Sequence, residues 1–161
     1  MDTEPDQESH SPATAPPGLV EGWFIYTIKQ LESGLRAPLE QAAQQAAGLT
    51  TAQYTALAVL ARWPGITSSE LARRSFVRAQ TMAETMTPLL EAGYVRRSED
   101  AASGRRIPLY LTDAGREVLE SLSGPVSALE SALLAAIPPA ERQSFASNLR
   151  ACRTALAGLP R

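Results

Sequence analysis

Residues 66–112 carry the pattern that most restricts how this chain can fold. A short segment with two inward-facing apolar residues, Leu71 and Ala72, leads through a tight turn into a longer amphipathic segment, and two extended segments follow. Thr67 and Glu70 are typical of a capping box, in which each side chain bonds the backbone amide of the other residue at a helix start. The order of these segments predicts helix, turn, helix and β-hairpin.

The second helix is predicted over residues 79–92, with Gly93 ending it in the left-handed conformation. Apolar residues recur along it at spacings of three and four, as expected for one buried face. This apolar set is Ala79, Met82, Ala83, Met86, Leu89 and Leu90. The opposite face carries Gln80, Thr81 and Thr85, with Arg78 just before the helix.

The hairpin encloses a run of basic residues. Tyr94 and Val95 begin its first strand, and Ile107, Leu109 and Leu111 alternate along the return strand. Two helices followed by a basic hairpin predict a winged helix-turn-helix, which places one helix in a DNA major groove and the hairpin against the adjacent minor groove. We therefore expect a mainly α fold with a small β-hairpin wing.

The residues predicted to contact double-stranded DNA fall into three groups. The start of the first helix and two arginines at its end are candidates for phosphate contacts: Thr67, Ser68, Ser69, Arg73 and Arg74. The second helix directs Gln80, Thr81 and Thr85 to base edges, with Arg78 close by. The wing supplies Arg96, Arg97, Arg105 and Arg106, and either of the last two suits a narrow minor groove, where the negative potential is strongest.

Residues 49–119 resemble the MarR family of transcriptional regulators. The resemblance is carried by LTTAQYTALAVLARWPGITSSELARRS, by QTM in the second helix, by LLEAGYVRRSED and by GRRIPLYLTDAGREVL, and the flanking helices fit as well. It implies that Arg105 is the wing-tip arginine and that Asp100 is the acid that stabilises it. Ala101 and Ser103 depart from the family, which usually has proline and a second aspartate there.

Two residues of the second helix are unusual for a DNA reader. Glu84 lies near the groove-facing side, where its carboxylate either accepts from cytosine N4 or is a solvated or paired charge. Pro88 removes one backbone hydrogen bond and clashes with the preceding turn. We expect a kink over residues 84–88 or an early end of the regular helix.

Amphipathic helices are predicted on both sides of the winged domain. We expect a helix over 19–33 that resumes after Pro38 and stops at Gly48, and one that starts at a second capping box, Thr50 with Gln53. A helix over 113–123 should be bent or interrupted at Gly124-Pro125, and a last helix over 141–156 should follow Pro139.

The outer helices carry more apolar surface than the small winged domain can cover. In the MarR family such helices interlock with those of a partner, so we expect a homodimer rather than a monomer with these helices folded back. The predicted organisation is a disordered tail over 1–17, an N-terminal dimerisation region over 18–48, a winged helix-turn-helix domain over 49–112, and C-terminal dimerisation helices over 113–161.

Charge is distributed unevenly along the chain. Residues 1–21 hold five acids and no lysine or arginine, whereas residues 62–116 hold nine arginines against six acids. The formal net charge of −2 thus combines an acidic tail with a mildly basic reader. There is neither a signal-peptide pattern nor an apolar run of about 20 residues. We therefore expect a cytoplasmic location and no membrane association.

The sequence offers no catalytic or metal-binding pattern. The only histidine, His10, lies in the tail, and the only cysteine, Cys152, has no candidate base beside it in sequence. A zinc motif and a glycine-rich phosphate loop are absent. We predict a protein that is not an enzyme and needs no metal or cofactor, with Cys152 as a small buried residue at the dimer helices.

The predicted function is that of a dimeric regulator which binds an inverted-repeat operator and, as a repressor, is released by a small aromatic or phenolic effector. By the family resemblance, Trp23, Tyr26, Tyr54 and Trp63 are candidates for lining the effector cleft; the alternative is that they are ordinary core aromatics. A second possibility is a winged-helix protein-interaction module without specific DNA binding. Whether the protein represses or activates depends on where the operator lies.

Overall fold

The computed structural model describes residues 23–98 and 107–157. The chain divides into two compact units, residues 1–34 and 35–161. The described elements, in chain order, are α1 (Trp23–Ala47), α2 (Thr51–Arg62), β1 (Ile66–Thr67), α3 (Ser68–Arg74), α4 (Ala79–Glu91), β2 (Val95–Arg97), β3 (Pro108–Leu111), α5 (Asp113–Leu134), a 3₁₀ turn (Pro139–Glu141) and α6 (Arg142–Ala157). The first unit contributes the N-terminal half of α1, and every later element belongs to the second. The predicted tail over residues 1–17 lies outside the described residues.

Side-chain caps fix where α2 and α3 begin. The Thr50 hydroxyl accepts from the Gln53 amide at 3.2 Å, and the Gln53 side chain accepts from the Thr50 amide at 2.9 Å. Thr67 and Glu70 make the same reciprocal pair, at 3.3 and 2.9 Å. Both predicted capping boxes are confirmed, and each satisfies backbone amides that a helix start leaves unpaired.

The wing is a three-stranded antiparallel sheet in the order β1-β3-β2. β1 pairs Ile66 with Leu109, and β2 pairs Arg96 with Tyr110. The prediction of a two-stranded hairpin was therefore incomplete, because β1 joins the sheet from the segment directly before α3. A strand of two residues has too little pattern of its own to be identified without its partner.

The core of the second unit lies between the helix-turn-helix, the sheet and α5. Its largest fully buried side chains are Leu57, Leu60, Leu71, Met82, Leu89 and Leu122. Burying a side chain of this size stabilises the fold by about 1.5–3 kcal/mol. Because α3 and α4 both contribute to this core, the helix-turn-helix is held as a rigid part of the domain.

The break predicted before Pro38 was wrong, as were an early end of the helix at Pro88 and an interruption at Gly124-Pro125; the bends expected at those two places stay predictions. α1 is continuous through Pro38, α5 is continuous through Gly124 and Pro125, and α4 continues past Pro88 to Glu91. A proline inside a helix costs about 3 kcal/mol, chiefly one hydrogen bond and a local clash. Helical stability in proteins comes mainly from tertiary packing, which outweighs that cost here. By contrast Gly93 has a φ of +73° just after α4, as predicted.

A carboxylate fixes the junction between α1 and α2. Glu40 accepts hydrogen bonds from the Thr51 hydroxyl at 2.6 Å and from the Thr51 amide at 2.7 Å. These two donors lower the pKa of Glu40, because both stabilise the ionised form. The second half of α1 is thereby attached to the winged domain by a charge-assisted contact.

Within residues 23–98 and 107–157, no helix is long and apolar enough to cross a bilayer. Nor do the residues of those two ranges include a group of three His, Cys, Asp or Glu side chains placed to hold a metal ion. Cys152 is exposed in the single chain rather than buried. The predicted burial of Cys152 would thus require a partner against α6.

Candidate nucleic-acid interface

α4 presents one face to the core and one to solvent. Met82, Met86 and Leu89 are buried, as the spacing predicted. Ala79 and Ala83 are exposed, which corrects their placement in the buried set. They lie at the edge of the apolar face, where a short side chain does not reach the core. The solvent face of α4 is therefore wider and less polar than predicted.

Two of the predicted base-reading side chains are held by their own helix. The Gln80 amide donates to the Glu84 carboxylate at 3.3 Å, and both side chains are exposed. Thr85 is half-buried, and its hydroxyl donates to the Thr81 carbonyl at 2.8 Å. Glu84 is thus partly paired along α4, and Thr85 retains only its acceptor capacity.

The start of α3 already holds a carboxylate. Glu70 accepts from both the amide and the hydroxyl of Thr67, each at 2.9 Å. Ser68 is half-buried and Ser69 is exposed, and their hydroxyls are the polar groups at this end that the cap does not use.

The described arginines differ in their surroundings. Arg73 and Arg78 are exposed. The Arg74 guanidinium lies over the Trp63 ring, 4.4 Å from its centroid, and that of Arg96 lies over Tyr110 at 4.9 Å. Arg97 lines a hollow beneath α4 instead. The predicted wing residues Asp100, Arg105 and Arg106 lie outside the described residues.

The hollow beneath α4 is enclosed by the start of α3, by α4 and by the sheet. It has a volume of about 360 Å³. Its lining combines apolar side chains with hydroxyls and one guanidinium: Thr67, Ser68, Ser69, Ala83, Met86, Thr87, Leu90, Arg97, Ile107 and Leu109. A second cavity of about 480 Å³ between α1 and α5 has a neutral lining that includes Pro38, Ala42 and Leu129.

The four aromatic residues predicted to line an effector cleft have separate neighbours. Trp23 and Tyr26 contact each other on α1, with ring centroids 5.3 Å apart. Tyr54 is half-buried, and burial followed by the charge of Glu130 raises the pKa of its hydroxyl. The face of Trp63 is covered by Arg74.

Tyr110 belongs to this surface and was missed in the sequence. It lies between Leu109 and Leu111, both buried, so strict alternation along β3 places its ring on the opposite face of the sheet. That alternation was visible in the sequence. The pairing with Arg96 was not visible, because it depends on the register between β2 and β3.

Comparison with known proteins gives the evolutionary context of this surface. The family model described as MarR family matches residues 47–106. The sequence is 31% identical to the HTH-type transcriptional repressor Rv2887 of Mycobacterium tuberculosis over 124 residues, which are 77% of this chain and 86% of that protein. The chain belongs to the MarR family. MarR family proteins are DNA-binding transcriptional regulators, so the chain is a transcriptional regulator and not an enzyme.

Solved structures of MarR family regulators share its fold. One from Silicibacter pomeroyi superposes with a TM-score of 0.72 at 31% identity, covering 82% of this chain and 88% of that one. The Rv2887 structure in complex with salicylic acid gives a TM-score of 0.65 at 29% identity, covering 84% and 98%. The mainly helical architecture with a small sheet is therefore that of a MarR winged helix.

Proposed function

We propose that the protein is a homodimer that binds an inverted-repeat operator and represses transcription until a small aromatic effector releases it. The observation that carries the proposal is the arrangement around α4. A helix anchored by Met82, Met86 and Leu89 exposes Gln80 and Thr81, and the arginines on α3 and on β2 are exposed as well. A rigid polar helix flanked by cations is what insertion into a major groove requires.

Base reading is assigned to Gln80 and Thr81, with Arg78 close by and Thr85 as an acceptor. Gln80 can make a paired contact with adenine once its hydrogen bond to Glu84 is broken. The new contact with the base offsets part of the free energy lost with that bond. Phosphate contacts are assigned to Arg73, Arg74, Ser68 and Ser69, with Thr67 as the cap of that helix. The wing contributes Arg96 and Arg97, and we place Arg105, stabilised by Asp100, or Arg106 in the minor groove.

The outer helices support dimerisation. α1 exposes six large apolar side chains near its start: Trp23, Phe24, Ile25, Tyr26, Ile28 and Leu31. No residue of α6 between 142 and 156 is buried, although Leu149 and Leu156 are large and apolar. Exposed apolar surface of this extent marks an interaction site. A second copy of the chain, which presents the same surface, is the partner we propose.

Aromatic carboxylates are the effector class that we propose. A relative, Rv2887, has been solved with salicylic acid. In this chain the hollow beneath α4 offers the Arg97 guanidinium to a carboxylate and Met86, Leu90 and Leu109 to a ring. A ligand there would contact both α4 and the wing, and it would release DNA to the extent that it prefers the unbound arrangement. That Trp23, Tyr26, Tyr54 or Trp63 contacts an effector stays a prediction from the family resemblance.

The effector proposal is tested without DNA by titrating salicylate into the protein in a calorimeter. Arg97→Gln should weaken binding at least tenfold, because the charge-assisted bond is lost. Arg153→Gln, an exposed arginine on α6, serves as the matched control. If Arg97→Gln and the wild type bind salicylate with equal affinity, the hollow is not the effector site.

The DNA-binding proposal is tested by selecting preferred duplexes from a random pool. A single enriched inverted repeat is expected, and Gln80→Ala should weaken its binding by about tenfold while hardly changing binding to unrelated duplexes, because base contacts carry discrimination. Gln143→Ala on α6 is the matched control. A pool without enrichment would favour a protein-interaction module instead.

A further inference from the structure

Two arginines of the winged domain place their guanidinium groups over aromatic rings. Arg74, in the last turn of α3, covers Trp63 at 4.4 Å, and Arg96, on β2, covers Tyr110 at 4.9 Å. Both arginines are exposed. We call these four residues, Trp63, Arg74, Arg96 and Tyr110, the stacked-arginine patch.

The two pairs are neighbours on one surface. Gly65 follows Trp63 by two residues, and a Cβ atom there would lie 2.9 Å from the Tyr110 hydroxyl oxygen. The Gly65 amide also donates to the Leu109 carbonyl at 2.9 Å, which fixes this corner to β3. The segment that carries Trp63 therefore runs along the edge of the Tyr110 ring.

The patch lies on the face of the sheet that points away from α4. Val95, Leu109 and Leu111 are buried on the core side, and Arg97 is paired with Leu109 on that same side, where it lines the hollow beneath α4. Arg96 and Tyr110 are directly opposite each other in the register and alternate with these residues. They consequently occupy the outer face of the wing.

Stacking leaves the hydrogen-bonding capacity of these guanidinium groups unused. A planar guanidinium carries its N–H donors at its edge, so contact through its face consumes none of them. Neither Arg74 nor Arg96 takes part in an ion pair within the described ranges, where Lys29–Glu32 and Arg116–Asp113 are such pairs. Among the residues that the structure describes, neither guanidinium is therefore paired with a carboxylate, and each lies beside an aromatic ring.

We propose that the stacked-arginine patch binds the phosphates of the duplex flanking each half-site, and that Trp63 and Tyr110 are positioning residues that orient the two arginines for this contact. This inference rests on the proposed function. With α4 in a major groove and the wing against the next minor groove, the outer face of the wing faces the DNA beyond that groove. An arginine already ordered on a ring loses less side-chain entropy when it binds a phosphate.

The experiment compares two duplexes that share one selected operator. The long duplex extends about ten base pairs beyond each wing contact, and the short duplex ends at the wing contact. Affinity is measured by fluorescence anisotropy across a salt series. The wild type should bind the long duplex at least tenfold more tightly and with a steeper salt dependence. Log affinity falls as log salt concentration rises, and each additional phosphate contact makes this slope more negative by about 0.9.

Arg96→Gln and Arg74→Gln should each reduce the preference for the long duplex and lower its salt slope, while weakening binding to the short duplex by a smaller factor. Tyr110→Leu and Trp63→Leu should shift both quantities in the same direction, and the aromatic replacements Tyr110→Phe and Trp63→Phe should restore them. The double variant Tyr110→Leu with Arg96→Gln should bind like Arg96→Gln alone, because the ring acts only through that arginine. Arg153→Gln is the charge-matched control.

The two arginine variants keep the test informative if the leucine variants fold poorly, because both arginines are exposed. If Arg96→Gln and Arg74→Gln retain the wild-type preference and salt slope, the inference is overturned although the protein is a DNA-binding regulator. If the leucine variants fold and bind like the wild type, the positioning role is overturned. Failure of the wild type to bind any duplex with a salt dependence would contradict the proposed function itself.

Discussion

At the scale of single residues, one glycine sets how closely α5 approaches the sheet. A Cβ atom at Gly115 would lie 2.1 Å from the carbonyl oxygen of Tyr94. Thr112, which caps α5, donates to two successive carbonyls of this segment: its amide donates to the Tyr94 carbonyl at 3.1 Å and its hydroxyl to the Gly93 carbonyl at 2.6 Å. The contact involves backbone on both sides, so no rotamer change relieves it.

We predict that Gly115→Ala lowers the free energy of unfolding by about 3 kcal/mol, because the added methyl group forces a backbone shift. Urea unfolding followed by circular dichroism measures the change. Gly34→Ala is the matched control: it lies inside α1, and nothing lies within 4 Å of its Cβ position. There alanine should stabilise by up to about 1 kcal/mol through helix propensity. Similar effects of the two substitutions would contradict this explanation.

A pH dependence of stability is predicted at Glu40. Donation from the Thr51 hydroxyl and amide lowers the pKa of this carboxyl from its ordinary value of 4.5. Stabilisation from a lowered pKa is fully present above the unfolded value and is lost as the pH falls through the folded one. Glu40→Gln should therefore melt below the wild type at neutral pH, and the gap should narrow as the pH drops below about 4.5. A gap that stays constant down to about pH 3 would show that the charge is not responsible.

At the scale of elements, Pro88 destabilises α4, and a substitution at this position should make the protein more stable. Pro88 is exposed and has no amide to donate to the preceding turn, yet the helix continues to Glu91. We predict that Pro88→Ala raises the free energy of unfolding by about 1–3 kcal/mol. The neighbouring exposed substitution Thr87→Ala should gain less than about 0.7 kcal/mol. A loss of stability in Pro88→Ala would mean that the backbone here needs proline.

The elements differ in how far the sequence predicts them. The starts of α2 and α3 were predicted correctly because a capping box depends on residues three apart, as at Thr50 and Thr67. The continuity of α1 through Pro38 was not predictable, because it depends on packing that local rules do not include. The same holds for β1, whose partner on β3 lies about forty residues along the chain.

Within the candidate interface, the exposure of a side chain was easier to predict than the side chains that it contacts. The exposure of Arg73, Arg78 and Gln80 follows from the amphipathic pattern, and the structure agrees. The contact of Trp63 with Arg74 joins the end of α2 to the end of α3, and only the tertiary fold brings them together. The neighbour of the Trp63 ring could therefore not be predicted from the sequence.

At the scale of the whole molecule, the account requires two copies of the chain. Ile25 is 61% exposed on α1, among other large apolar side chains. We predict that Ile25→Asp converts a dimer into monomers in sedimentation equilibrium, because a buried unpaired carboxylate costs several kcal/mol at an apolar interface. Ser33→Asp, at an exposed polar position of the same helix, should leave the dimer intact. A wild-type protein that sediments as a monomer would refute the dimer.

The central claim is that this dimer reads two half-sites with two copies of α4. Hydroxyl-radical footprinting of the protein on its selected operator, or on the DNA upstream of its own gene, tests it most directly. The account predicts two symmetric protected segments whose centres are about 34–36 Å apart, one turn of DNA. Protection that extends outward past each wing contact would come from the stacked-arginine patch. A single protected half-site, or uniform weak protection that does not depend on sequence, would contradict the claim.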